Sequence, residues 1–167
     1  SAITAGCAST THYIHLDPST SLQTAQLQNR NRIEITTLSN IDKKLGTIDT
    51  AIKEHADLVL SNQIEESIQH RIEEGLAALG FKPDQGELPA SRLQIEILEL
   101  SYTTKTKALK TVATVRFILK ATTKAKGKTY TANYGSEKID EYGTLPSQEE
   151  VQATINTLAG ETVNRLL

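Results

Sequence analysis

A single cysteine, Cys7, closes the run Ile3-Thr4-Ala5-Gly6-Cys7. Ala5 and Gly6 are the side chains a lipoprotein peptidase needs, because its cleft admits an extended backbone only where the groups beside the scissile bond are tiny. The chemistry this run supports is attachment of diacylglycerol to the cysteine sulfur, with residues 1–7 read as the end of a signal segment. The competing use of a lone cysteine is as a small buried hydrophobe. Gly6, Ala8, Ser9, Thr10 and Thr11 are a poor setting for a core, so the anchor reading is preferred. Thr4 stands where Leu, Val or Ile is usual. Ala8 stands where Asp would favour retention in an inner membrane, so the expected location is the periplasmic face of a bacterial outer membrane. The chain contains no Met, and a leading charged and apolar segment is expected to have preceded it.

The other reactive side chains form no catalytic constellation. His12 and His15 have an i, i+3 spacing, but the nearest carboxylate, Asp17, sits in an expected turn and there is no second cysteine, so a four-ligand zinc site lacks its donors. Of the other two histidines, His55 and His70, the latter falls on the wet flank of an expected helix. Glu65, Glu66, Glu73 and Glu74 line a helix surface rather than facing one another across a cleft. Glu96 and Glu99 lie on an expected strand, as acids of a cell-wall enzyme or as guards against edge-to-edge pairing, with the guard reading favoured. Ser101 and Thr103 lack a nucleophile-elbow context. No catalytic residue and no cofactor is assigned.

Lysines concentrate between Lys105 and Lys128, whereas the first helix is acidic. Lys105, Lys107, Lys126 and Lys128, with Tyr130 and Tyr134, form a candidate binding surface for lipid headgroups or peptidoglycan carboxylates. Solvation of exposed hairpin tips is the favoured account of the lysines, and the tyrosines would serve equally as cover for an open sheet face.

The elements that position these groups fit in one domain of 167 residues. The formal charge of −2 lacks the concentrated basic surface that nucleic acid requires. With aromatics at 4 % and no Trp, the core must be built of Ile, Leu, Val and Ala. No apolar run approaches the ~18 residues of a spanning helix. Residues 8–31 read as a flexible polar tether, with Tyr13 to Leu16 as a candidate short strand. The folded body is expected over 32–167.

Within that body, Ile33, Ile35 and Thr37 alternate as in a half-buried strand, and Leu45–Ile48 and Ala56–Leu60 are extended candidates. Ile64, Ile68, Ile72, Leu76 and Leu79 make a helical stripe, capped by Asn62 with Glu65 and ended by Gly80. Three strands follow. In the first, Leu93, Ile95 and Ile97 share one face, and Leu98, Leu100 and Tyr102 fall on the other, as if both were covered. The second carries Ala113, Val115, Phe117 and Leu119 inward, and Lys126-Gly127 turns the chain into the third. Ser147 and Glu150 form a capping box for a last helix buried through Val151, Ile155, Leu158, Ala159, Thr162 and Leu166. The sum is an α+β fold, an antiparallel sheet of about four to five strands with two amphipathic helices on one face.

Gly6-Cys7, the helix ending Ala77-Ala78-Leu79-Gly80-Phe81, the Leu93-Gln94-Ile95 strand leading to Leu100 and Tyr102, the segment Tyr130-Thr131-Ala132-Asn133-Tyr134 and the closing helix occur here in one order. In that order the chain resembles the YajG-type family of small bacterial lipoproteins. The resemblance implies an outer-membrane lipoprotein facing the periplasm, and brings no catalytic residues with it. The expected function is a non-enzymatic binding or adaptor module in the envelope, partnered by the membrane through its anchor and by an envelope protein, lipid or peptidoglycan. The alternatives are a lipid or glycolipid carrier with an apolar cavity between sheet and helices, and a cell-wall enzyme using Glu96 or Glu99.

Overall fold

The computed structural model describes residues 10–19, 32–49, 55–81, 91–144 and 146–167. Among these residues seven strands and two helices follow the order β1 (Thr10–Ile14), β2 (Ile33–Ser39), β3 (Lys44–Asp49), β4 (His55–Leu60), α1 (Ile64–Ala78), β5 (Ser91–Lys107), β6 (Lys110–Ala125), β7 (Lys128–Tyr142) and α2 (Gln148–Leu166). The class is α+β as expected, but the sheet has seven strands rather than four to five, and it is mixed rather than antiparallel, because β1–β4, β2–β5 and β3–β5 pair in parallel. The shortfall lies in the amino-terminal half, whose short extended candidates carry too few alternations to show that all of them pair into the one sheet.

The strand order is β1-β4-β3-β5-β6-β7, with β2 also alongside β5. Strands β5, β6 and β7 form the antiparallel meander that the sequence predicts. The opposite edge of β5 is shared. Strand β2 runs parallel to it from Ile33–Ser91 to Ser39–Ile97. Strand β3 then meets it at one parallel pair, Gly46–Tyr102. The approach there is so close that a Cβ on residue 46 would run into the Tyr102 carbonyl, which is why glycine occupies it. Strand β1 pairs parallel with β4, and β4 antiparallel with β3.

The two-faced reading of β5 is corrected by a bulge. The register with β6 slips between Ile97 and Glu99, so Leu98 is the extra residue and the inward series continues Ile95, Ile97, Leu100, Tyr102. One face of β5 is therefore buried, and Leu98 is 43 % exposed on the other.

Both helices lie on the buried face. Ile64, Ile68, Ile72 and Leu76 of α1 and Val151, Ile155, Leu158, Ala159 and Val163 of α2 join the inward residues of β5 and β6 in one core. Each such large side chain is worth roughly 1.5–3 kcal/mol of burial. Ser147 and Glu150 make the expected capping box at α2, with Glu150 N donating to Ser147 Oγ and Ser147 N donating to Glu150 Oε2. Gly80 ends α1 at φ 92, and Phe81 N and Gly80 N donate to the Leu76 and Ala77 carbonyls in a Schellman closure. The expected box at the start of α1 is absent. Gln63 is the N-cap, without a side-chain bond, because the Asn62 amide is turned to another partner.

That partner corrects the tether. Residues 10–19, expected within the flexible segment, form an edge strand and a strap across the helices, with Ile14 and Leu16 fully buried. Two greasy side chains at alternate positions are enough to dock a segment whose other residues are polar. Residues 20–31 and Cys7 lie outside the described residues.

Candidate functional site

The strap is held through its backbone. Gln148, Gln152 and Asn156 recur at i, i+4 and i+8 on α2 and so form one row. Gln148 Nε2 donates to the Tyr13 carbonyl at 2.7 Å, His15 N donates to Gln152 Oε1 at 3.0 Å, and Asp17 N donates to Asn156 Oδ1 at 2.8 Å. Asn156 Nδ2 returns a bond to the His15 carbonyl at 3.1 Å. From the α1 side Asn62 Oδ1 accepts from Leu16 N, and its Nδ2 donates to the Leu16 carbonyl and to Ser67 Oγ. Arg71 closes the strap by an ion pair to Asp17 at 2.9 Å. Gly160 completes the fit, since a Cβ there would meet the Ser19 carbonyl. The amide row is a feature that sequence reading missed; its four-residue spacing was the available signal.

The lysines expected to form one basic surface are divided. Lys105 and Lys107 stand at the β5–β6 turn, whereas Lys126 and Lys128 stand at the β6–β7 turn. Successive turns of an antiparallel meander fall at opposite ends of the shared strand. Strand β6 has 16 residues, so its ends are about 50 Å apart at ~3.3 Å per residue. Tyr130, 62 % exposed, follows the second turn, whereas Tyr134 is half-buried and packs on the core. The Lys126-Gly127 turn forms as expected, both residues having positive φ. At the first turn Ala108 has φ 56, and Leu109 beside it is 94 % exposed. Leu109 was not singled out from sequence, because one apolar residue between lysines breaks no pattern.

The face of the sheet away from the helices is a polar lattice. Glu99 accepts a hydrogen bond from Ser101 Oγ at 2.8 Å and lies 3.7 Å from Arg116, which also pairs with Glu137 at 3.1 Å. Glu96 lies 3.7 Å from Lys120. Leu38, Leu98 and Ile139 are exposed among these charges. A groove of about 270 Å³ runs along the same side, lined by Glu34, Thr36, Arg92, Leu93, Gln94, Thr122 and Lys124.

Two hydroxyl sites belong to the interior. Thr162 Oγ1 donates to Ser136 Oγ at 2.8 Å and lies 3.0 Å from the Leu158 carbonyl, tying α2 to β7. Tyr102 is 2 % exposed and its hydroxyl has no partner. Burial, then the neighbouring Tyr142 and Asp140, push its ionisation far above the usual tyrosine range.

The histidines are dispersed. His12 and His15 lie three residues apart on an extended segment and so point to opposite sides. His70 pairs with Glu74 on α1 at 3.0 Å, and His55 opens β4. Among the described residues no three His, Cys, Asp or Glu side chains are grouped to hold a metal ion. Among the described residues, too, no helix is long and apolar enough to cross a membrane.

Comparison with known proteins returns the fold and a family. An uncharacterized protein of solved structure is similar over 95 % of this chain and 96 % of its own, with 6 % identity and a TM-score of 0.52. A Xanthomonas campestris protein from a family of unknown function covers 94 % of this chain and 92 % of its own, with 8 % identity and a TM-score of 0.53. A minor lipoprotein from Acinetobacter baumannii is similar at a TM-score of 0.48 and 8 % identity over 82 % of this chain and 89 % of its own. No curated protein matches the chain in sequence. The family model described as "Uncharacterized lipoprotein" matches residues 18–167, and the chain belongs to this family, the YajG-type lipoproteins of the bacterial envelope.

Proposed function

We propose that the protein is anchored through an acylated Cys7 to the periplasmic face of the outer membrane and acts there as a non-enzymatic binding or adaptor module. The observation that carries this reading is the immediacy with which the chain enters the fold: Thr10, three residues beyond Cys7, already belongs to an edge strand. An anchor at Cys7 then fixes the position of the whole body at the bilayer rather than letting it roam on a leash. The helix-free face of the sheet is the surface offered to a partner. Its carboxylates Glu96 and Glu99 have cationic neighbours, an arrangement that suits surface recognition better than acid–base work.

The test begins with the native protein extracted from membranes. Its intact mass carries the added acyl groups, Cys7→Ser moves it to the soluble fraction, and density-gradient separation places it with outer membranes. Crosslinking in cells then captures an envelope partner from the wild type and loses it in the Glu96→Lys/Glu99→Lys variant. An unmodified thiol on a freely soluble protein removes the anchor. Co-purified acyl lipid in native mass spectrometry, or a cell-wall hydrolysis abolished by Glu99→Gln, replaces the adaptor role by carriage or catalysis.

A further inference from the structure

We infer that the β5–β6 turn is a second membrane contact, in which Leu109 enters the headgroup region of the bilayer that carries the acyl anchor and Lys105, Lys107 and Lys110 meet its anionic phosphates. The inference rests on anchoring at Cys7 and adds to it an orientation. Strand pairing supplies the first part of the argument. Thr10 pairs with Ala56, and Ala56 pairs with Ile48. Ile48 is two residues beyond Gly46, which pairs in parallel with Tyr102. Thr10 is therefore level with about residue 104 of β5, at the end of the sheet where β5 turns into β6. The turn itself, closed by the Lys107–Lys110 pair, projects a further three residues.

Three residues also separate Thr10 from Cys7, and three residues reach at most ~11 Å. Along the sheet, β1 and β5 are three positions apart, about 14 Å at ~4.8 Å per strand. The acyl anchor and the turn can thus meet one plane side by side. The opposite turn, with Lys126 and Lys128, is a strand length away and cannot reach that plane together with Cys7.

The chemistry of the turn suits a bilayer surface. Leu109 is 94 % exposed at its apex, where it contributes nothing to the core. Lysine stems flank it, long enough to lie along the acyl boundary while the ammonium groups stay with the phosphates. Among the described residues Lys105 and Lys107 are in no ion pair, and Lys110 lies 3.4 Å from Glu141 at the end of β7. Attraction of about 1 kcal/mol per lysine at an anionic surface corresponds to roughly fivefold each in population of the docked state.

The chain has no Trp and one Cys, so one substitution reports on the contact. The Leu109→Trp variant is coupled through Cys7 to a maleimide lipid in vesicles of phosphatidylcholine with anionic phosphatidylglycerol. Tryptophan emission is expected to shift to the blue and to be quenched by brominated lipid, and both effects should fade with added salt or with Lys105→Gln/Lys107→Gln/Lys110→Gln. The Tyr130→Trp variant, coupled in the same way, should keep the emission of the uncoupled chain. Solvent-like emission at residue 109 on the vesicles overturns the contact, and so does an equal response at residue 130, which would mean general adsorption. Because the lipid is installed chemically, neither result depends on natural acylation, whose failure is read separately from the mass of the native protein.

Discussion

Asn62 treats the backbone of Leu16 as a neighbouring strand would. Its side-chain carbonyl accepts from Leu16 N and its amide donates to the Leu16 carbonyl, both at 2.9 Å, although 46 residues separate the two. The bond pair fixes the strap at the step where Leu16 enters the core.

Asn62→Ala leaves the part-buried N–H and carbonyl of Leu16 without these partners. Each orphaned group costs about 1–3 kcal/mol, so urea midpoints should fall markedly at constant slope. Asn62 is not the cap of α1, so helical signal at low denaturant should be unchanged. Asn62→Asp keeps the acceptor but turns a carboxylate oxygen toward the Leu16 carbonyl, so it too should lose stability.

Gly160→Ala tests the strap from the other helix. Alanine in a helix interior ordinarily gains about 1 kcal/mol over glycine. Here the added Cβ meets the Ser19 carbonyl, so the sign should reverse. Limited proteolysis should then cut within residues 10–19 faster than in the wild type. A stabilised, equally resistant variant would show that the strap does not press on α2.

The orphaned hydroxyl of Tyr102 sets an alkaline limit. Its ionisation is raised in the fold above the ordinary tyrosine value of 10.0. The unfolded chain loses that proton first, so the contribution is fully present below about pH 10 and declines as pH rises above it. The slope for one such group approaches ~1.4 kcal/mol per pH unit. Tyr102→Phe should flatten this decline and leave stability at neutral pH equal or higher, because no hydrogen bond is lost. Guanidinium unfolding from pH 8 to 11, a range set about the reference value, measures both.

Ala108 at φ 56 carries the backbone strain that glycine avoids. Left-handed backbone costs a non-glycine residue about 1–2 kcal/mol, partly offset by glycine's larger entropy when unfolded. Ala108→Gly should therefore raise the unfolding midpoint modestly, by the equivalent of ~0.5–1 kcal/mol. The emission of the Leu109→Trp reporter on vesicles should survive this change.

Long periodic elements were legible from the chain alone. The stripe from Ile64 to Leu76, the Ser147–Glu150 box, the Gly80 stop and the Lys126-Gly127 turn are local devices, and each appears where its residues stand. The bulge at Leu98 was not legible, because an alternation of two has no symbol for an inserted residue; it reads as a change of face. The strap escaped for a different reason. Ile14 and Leu16 are too few to signal burial, and their partners Gln148, Gln152, Asn156 and Asn62 are distant polar residues whose own local signals point to solvent or to a cap.

By itself the sequence determined the class of fold, the two helices, the meander and the kinship with envelope lipoproteins, since all of these follow from residue types repeated along a line. Only the tertiary structure decided that the segment from Thr10 is an edge strand rather than a leash, and that one group of lysines lies at the same end of the sheet as Thr10 while the other lies a strand length away. The reason is that hydrogen bonds and sheet register join residues far apart in the chain, and no property of either residue announces the partner it will meet.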